Sequence, residues 1–348
     1  YGYRVELDGA PVDLGEPLAF KTQTLWQHRT DPPAFTLALG SCTYISEAKY
    51  DRPGKPYGGD YRIFNSIADQ HPDVMLWMGD NIYLRDPDWN SWQGILHRYT
   101  HARALPEMQR LLRGTQHAAI WDDHDFGPND GDASWIHSDL TQHAFELFWP
   151  NPTYGVPGVS GICTMLTYND VDLFLLDDRS HRVPSEMKTA TPTILGAAQI
   201  DWLIQALKYS AAPFKLVALG GQFLSDADEF ENYASVPAER QLIIDRIDKE
   251  EISGVVFLTG DRHYTELTEL VLKDSTVLRD LTVSPLTSST YPPTGRNTLS
   301  VPGTVFTERN FGVLEFTGAK GHRTMRIMIR DSDGKLVWER SMDQPKAR

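Results

Sequence analysis

The residues able to do chemistry stand at the ends of short apolar runs. FTLALG at 35–40 runs into Ser41 and Cys42, and VMLWMG at 74–79 into Asp80, Asn81 and, two further on, Tyr83. HAAIW at 117–121 ends in Asp122-Asp123-His124-Asp125, and LFLL at 173–176 in Asp177-Asp178-Arg179. LVALGG at 216–221 ends in Gln222, and VVFLTG at 255–260 in Asp261-Arg262-His263. Each ending supplies groups that bind metal or hydrogen-bond to phosphate. In open α/β sheets, ligands sit outside the carboxyl ends of the strands, so repeated endings of one polarity point to a shared site.

The spacing suggests how the groups divide. Asp261 and His263 are i and i+2, and a continuing strand would send both side chains to one face. Asp80 follows Gly79, which lets the backbone turn sharply, and its two oxygens could bridge two cations. WDDHDFGPND at 121–130 places four aspartates in ten residues. They repel one another unless cations neutralise them; the plainer reading is an acidic loop in water. Asp123 and Asn129 are oxygen donors suited to a hard divalent ion. His124 is a ligand or a general acid. Cysteine, tyrosine, aspartate and histidine together favour a transition metal, whereas an all-oxygen set favours Ca²⁺ or Mg²⁺. Both sets are present. Arg179 and Arg262 are either phosphate partners or ion-pair partners of the local aspartates.

These residues need a scaffold. The 348 residues are 41% hydrophobic and 23% charged, ordinary values for a globular protein and enough for a large core. Apolar runs alternate with helical patterns at 61–70, 91–105, 106–114, 138–149, 196–210 and 237–250, with Ser138 as the expected N-cap of the fourth. A hairpin is expected at Asn169-Asp170 and another at Asp333-Gly334. YGYRVEL and LAFKT read as a short N-terminal β segment around the turn DGAPVDLGEP. This gives a division into residues 1–32, a short β segment, and 33–348, the main domain. The loop 287–303 is long enough to form a site rim.

The balance of 33 basic to 47 acidic residues, net −14, argues against binding a nucleic acid duplex. No apolar run reaches the ~20 residues of a membrane span. Cys42 and Cys163 leave three readings: a disulfide, two unrelated thiols, or a thiolate ligand at Cys42. GxSxG, GxGxxG, P-loop and HExxH motifs are absent from the sequence, which removes the hydrolase and nucleotide-binding classes they mark. The start at Tyr1 fits a processed precursor or a trimmed chain.

In this order, GSC, MGDNIY, WDDHD, LLDDRSHR, GGQ and LTGDRHYTEL resemble the PhoD-like alkaline phosphatases of the metallophosphoesterase superfamily, over residues 34–345. The resemblance implies a mixed α/β, four-layer α-β-β-α sandwich with metals at one edge of the paired sheets. The N-terminal β segment then resembles the end of a small preceding β domain. It implies Fe³⁺ on Cys42, Asp80, Tyr83 and His263, and Ca²⁺ on Asp80, Asp123, Asn129 and Asp261, with Asp122 nearby; other divalent metals fit the same donors. It makes His124 the proton donor to the leaving group and places Asn81, Gln222 and Arg182 near the phosphate. The substrate class is small phosphate esters, monoesters or diesters, and the location secreted or periplasmic. Two positions depart from the pattern. Asp178-Arg179-Ser180-His181-Arg182 lacks the family's tyrosine, and Gly221-Gln222 stands where Asn-Gln is usual. A phospholipase-type enzyme with the same metals, or a metal-dependent binding protein, are the competing readings.

Overall fold

Short runs of Val, Leu, Ile and Phe, too brief for helices and buried on both faces, make the central strands of this chain. The computed structural model describes residues 1–14, 18–227 and 229–345. Strands β1 (Gly2–Tyr3), β2 (Glu6–Leu7), β3 (Ala10–Pro11) and β4 (Leu18–Ala19) form two antiparallel pairs, β1 with β4 and β2 with β3. The expected return strand is therefore present, and the chain reverses at Asp8-Gly9, both at positive φ; residues 15–17 of the expected turn lie outside the described residues.

The rest builds two six-stranded sheets. The first contains β5 (Phe35–Gly40), β6 (Val74–Met78), β7 (Gln116–Ile120), β14 (Asn310–Thr317), β15 (Thr324–Asp331) and β16 (Leu336–Asp343), in the order β16-β15-β14-β5-β6-β7. The second contains β8 (Thr164–Tyr168), β9 (Val171–Leu175), β10 (Phe214–Ala218), β11 (Val255–Thr259), β12 (Glu266–Val271) and β13 (Val277–Thr282), in the order β12-β13-β11-β10-β9-β8. β5, β6 and β7 are parallel, as are β9, β10, β11 and β13. Antiparallel strands flank both parallel sets.

Side-chain alternation separates the layers. In the second sheet, Leu173, Leu216 and Leu258 join a core shared with Leu37, Leu39 and Leu314 of the first. Their neighbours Phe174, Val217 and Phe257 face away, onto α6 (Gly196–Tyr209) and α7 (Pro237–Lys249). The far side of the first sheet is covered by α1 (Ile63–Ala68), α2 (Trp92–Arg103), α3 (Gln109–Gly114) and α5 (Ser138–Phe148). The architecture is thus helix, sheet, sheet, helix. Burying each large apolar side chain contributes about 1.5–3 kcal/mol.

Helix limits differ from the sequence expectation in two places. Ser138 is the first residue of α5, and His137 holds the cap position without a side-chain bond. The acidic stretch at 122–126 is not an open loop. It forms a single turn, α4 (Asp123–Phe126), capped reciprocally by Asp122 and Asp125. The physical reason is local: short carboxylates satisfy free N–H groups at a helix start.

Parallel strands bring their carboxyl ends to one edge, and the two sheets present these edges to each other. A Cβ on Gly260, just past β11, would lie 2.6 Å from Ser41 Cβ and 2.9 Å from the Met78 carbonyl oxygen. Only a glycine lets the sheets approach this closely.

Candidate metal centre

Four of the chemistry-bearing residues leave their strands with left-handed backbones. Cys42, Asp80, Asp261 and His263 have φ of 60°, 53°, 61° and 58°. For a non-glycine residue this costs about 1–2 kcal/mol, and such conformations concentrate at functional sites. β11 ends at Thr259, so Asp261 and His263 are not aimed by strand alternation, contrary to the expectation from their spacing. Tight turns aim them instead, braced by the hydrogen bond from the Arg262 N–H to the Gly260 carbonyl, 2.7 Å.

Hydrogen bonds tie the strand ends together. The Cys42 N–H donates to the Gly79 carbonyl and the Thr43 N–H to the Asp80 carbonyl. Ser284 Oγ donates to Cys42 Sγ at 3.1 Å and accepts from the His263 N–H at 3.0 Å. His263 Nδ1 lies 2.5 Å from the Ser289 carbonyl oxygen. Donation to that carbonyl leaves Nε2 as the free ligand atom, turned towards the Tyr83 hydroxyl 3.5 Å away. Orienting an imidazole through its other nitrogen is how proteins prepare histidine ligands.

Three groups of donors have ligand atoms within 4.8 Å of one another: Cys42, Asp80 and His263; Asp80, Asp123 and His124; and Asp123, Asp130 and Glu231. Asp80 belongs to the first two and Asp123 to the last two, so the groups run continuously. Cys42 is free and fully buried, as is Cys163. This removes the disulfide reading among the described residues.

The electrostatics fit bound cations. Burial, then Asp123, Asp122, Asp125 and Asp261, pushes the Asp80 carboxyl well above the usual range. Asp261 is raised by burial and then by Asp122. Burial, Asp80 and Asp261 raise the Cys42 thiol. Burial also opposes the Asp123 carboxylate, yet His124, Arg179 and the Asp130 N–H together bring it below the usual range. Among the described residues, no lysine or arginine forms an ion pair with Asp80, and the buried Asp122 Oδ2 has no hydrogen-bond partner. Acceptors packed this closely need positive charge, and the mixed thiol, phenol, imidazole and carboxylate set suits a transition metal beside a harder ion.

The groups open into a cavity of about 860 Å³. Asp80, Asp123, His124, Asn129, Asp261, Arg262, His263 and Arg182 line it. The His124 ring lies beside that of Tyr83, with centroids 4.2 Å apart and planes tilted by 33°. Tyr291, Pro292 and Thr294 of the long 287–303 loop contribute to its wall.

Other expected site residues lie behind the wall. Arg179, 2% exposed, is bound by Asp122 and by Glu231. Asp122 spends one oxygen on that arginine and caps α4. The Asn81 side chain donates to the Ile120 carbonyl. Gln222 donates to Thr282 Oγ1 and is fully buried. The structure therefore brings neither Asn81, Gln222 nor Arg179 to the cavity surface. Asp130 and Glu231 join the site without having been singled out. Asp130 stood in the acidic stretch, where its charge was visible, and Glu231 ends a second acidic stretch, DADEFE at 226–231, whose charge density was the signal that could have pointed to it.

The model of the PhoD-like phosphatase family matches residues 37–322. The chain belongs to the PhoD-like phosphatase family. It is 24% identical over 291 residues to alkaline phosphatase D of Bacillus subtilis (strain 168), covering 70% of this chain and 48% of that protein. The chain thus spans about half the length of this curated relative. Among solved structures it is similar to PhoD, with a TM-score of 0.71 and 17% identity over 90% of this chain and 70% of that one. It is also similar to the purple acid phosphatase PPD1 of yellow lupin (Lupinus luteus), with a TM-score of 0.64 and 12% identity over 90% and 54%. At these identities both structural likenesses speak for the fold: a family member with two sheets in the metallophosphoesterase arrangement.

Proposed function

We propose that this chain is a metal-dependent phosphoester hydrolase of the secreted or periplasmic alkaline phosphatase type. The observation that carries the reading is the sharing of Asp80 between a Cys42–His263 group and an Asp123–His124 group. Cys42, Asp80, Tyr83 and His263 would hold Fe³⁺. Asp80, Asp123, Asn129 and Asp261 would hold Ca²⁺, with Asp122 supporting Asp123 from behind. Such cations, when bound, offset phosphate charge and make water nucleophilic near neutral pH.

The chain's own residues supply the rest. Arg262 and Arg182 line the cavity and offer planar N–H donors to phosphate oxygens. Glu229 and Glu231 anchor these guanidiniums at 3.3 and 2.7 Å, limiting their motion. As water adds to phosphorus and the ester P–O bond breaks, the leaving oxygen takes a proton, and this reading assigns that donation to His124, which lines the cavity. Arg179 acts from behind, neutralising Asp122 and Glu231 and fixing α4.

Elemental analysis together with chelator-sensitive release of nitrophenol from nitrophenyl phosphate tests the reading. Protein that binds no metal and releases no nitrophenol refutes it.

A further inference from the structure

The cavity has two unlike kinds of lining. One is the set of acids described above. The other, which makes up an apolar wall beside them, comprises Phe230, Tyr291, Tyr57, Pro184 and Pro292. Resting on the phosphoester reading, we infer that this apolar wall is an aromatic shelf for the organic part of the substrate, and that the preferred esters carry a flat aromatic group.

Three observations carry the inference. First, Phe230 is 77% exposed, a large apolar side chain left to solvent at the cavity rim. Its backbone sits at φ 55°, a conformation unfavourable for a bulky residue. Second, among the described residues the ring has a guanidinium over it. The Arg262 guanidinium lies 4.6 Å from the Phe230 centroid, and 5.8 Å from that of Tyr264 on its other contact. The exposed face of Phe230 is thus available to stack on a ligand. Third, the other edge stands on the 287–303 loop. Tyr291, half exposed, has its ring centroid 5.2 Å from that of His263 and donates its N–H to the His263 carbonyl at 3.2 Å.

Glu229 joins the two edges. It pairs with Arg262 at 3.3 Å and accepts from the N–H groups of Thr294 and Gly295 at 2.9 and 2.6 Å. The rings therefore stand at a set distance from Asp261 and His263, whose chain neighbour is Arg262. A phosphoryl group held at Arg262 would direct its organic substituent along Phe230. The 860 Å³ cavity is far larger than a phosphoryl group needs, and stacking tolerates any flat π-face. Aryl rings and nucleobases share this chemistry.

The test uses two non-hydrolysable ligands with the same anionic head, phenylphosphonate and methylphosphonate, titrated calorimetrically into the metal-loaded protein. The expected result is at least ~10-fold tighter binding of the phenyl ligand, within the range measured for base–aromatic stacking. In Phe230→Ala the ratio of the two affinities should fall towards one, and in Phe230→Trp it should be kept. Equal affinities in the unmodified protein, or a ratio untouched by Phe230→Ala, overturn the shelf while leaving the phosphoester reading intact. Binding of neither ligand overturns the shelf, and the phosphoester reading then stands or falls on metal content and nitrophenol release. A nucleoside phosphonate separates the sources: tighter binding than phenylphosphonate names a nucleobase, weaker binding an aryl ring, and each supports the shelf.

Discussion

Cys42 Sγ lies 3.7 Å from Asp80 Oδ2, although the residues are 38 apart in sequence. They follow neighbouring parallel strands, β5 and β6, and each turns out of its strand at positive φ. A thiol and a carboxylate held this close, both buried, repel once ionised. A cation between them turns the repulsion into attraction.

This yields opposite effects for one substitution. Asp80→Asn should reduce metal affinity by more than the ~10–100-fold typical of losing an outer-sphere partner. It should also raise the melting temperature of metal-stripped protein, because it removes a carboxyl whose ionisation is opposed in the fold by burial and by four aspartates. Metal titration and thermal unfolding with and without chelator check both signs. A metal-stripped variant less stable than the parent contradicts the electrostatic account.

Gly260→Ala probes the junction of the sheets. The new methyl would press on Ser41 Cβ and the Met78 carbonyl. Overpacking of this kind costs about 1–3 kcal/mol, and here the displaced groups adjoin Cys42 and Gly79. Denaturant unfolding should show the loss, and bound metal should fall with it. Unchanged stability would mean that the strand ends can part freely.

His124→Asn separates proton donation from metal binding. Hydrolysis of an alkyl phosphate, whose leaving oxygen needs a proton, should slow by ~10²–10⁴-fold. Nitrophenyl phosphate should be affected much less, since nitrophenolate leaves readily unprotonated. Equal losses on both esters would remove the acid role and favour a purely ligating one.

A pH effect is expected far from the metals. Trp77 Nε1–H donates to His117 Nδ1 at 3.0 Å, while His117 Nε2 faces the Leu112 carbonyl. This network fits only neutral imidazole. Burial, the largest influence, lowers the His117 pKa to about 4, against about 6.5 in the unfolded chain. Between these values the unfolded chain binds the proton and the folded one does not. His117 therefore costs stability as pH falls from about 6.5 to about 4, by roughly 2–3 kcal/mol in all. In His117→Gln the difference in unfolding free energy between pH 7 and pH 4.5 should shrink by that amount. An equal pH slope in both proteins disproves the assignment.

Much of the plan was legible because it rests on local chemistry. FTLALG, VMLWM and VVFLT are strands where their composition puts them. Both hairpins turn at Asn169-Asp170 and Asp333-Gly334, since asparagine, aspartate and glycine tolerate the required backbone. The repeated polar endings told of one shared edge, because parallel strands place like ends together. What sequence could not supply was the direction of each side chain. Asp261 and His263 looked like partners on one strand face, but left-handed turns aim them, and such turns are stabilised by distant groups such as Ser284 and Ser289. Glu231 and Phe230 stand in DADEFE at 226–231, away from any strand end, and become part of the cavity only when their segment is folded over it. Arg179 and Arg182 are three residues apart and alike in chemistry. Packing alone buries the first among carboxylates and leaves the second on the cavity wall. Residue types and order thus determined which chemistry gathers at the sheet edge. The tertiary structure decided which groups face the cavity, because burial and charge pairing act between segments far apart in the chain.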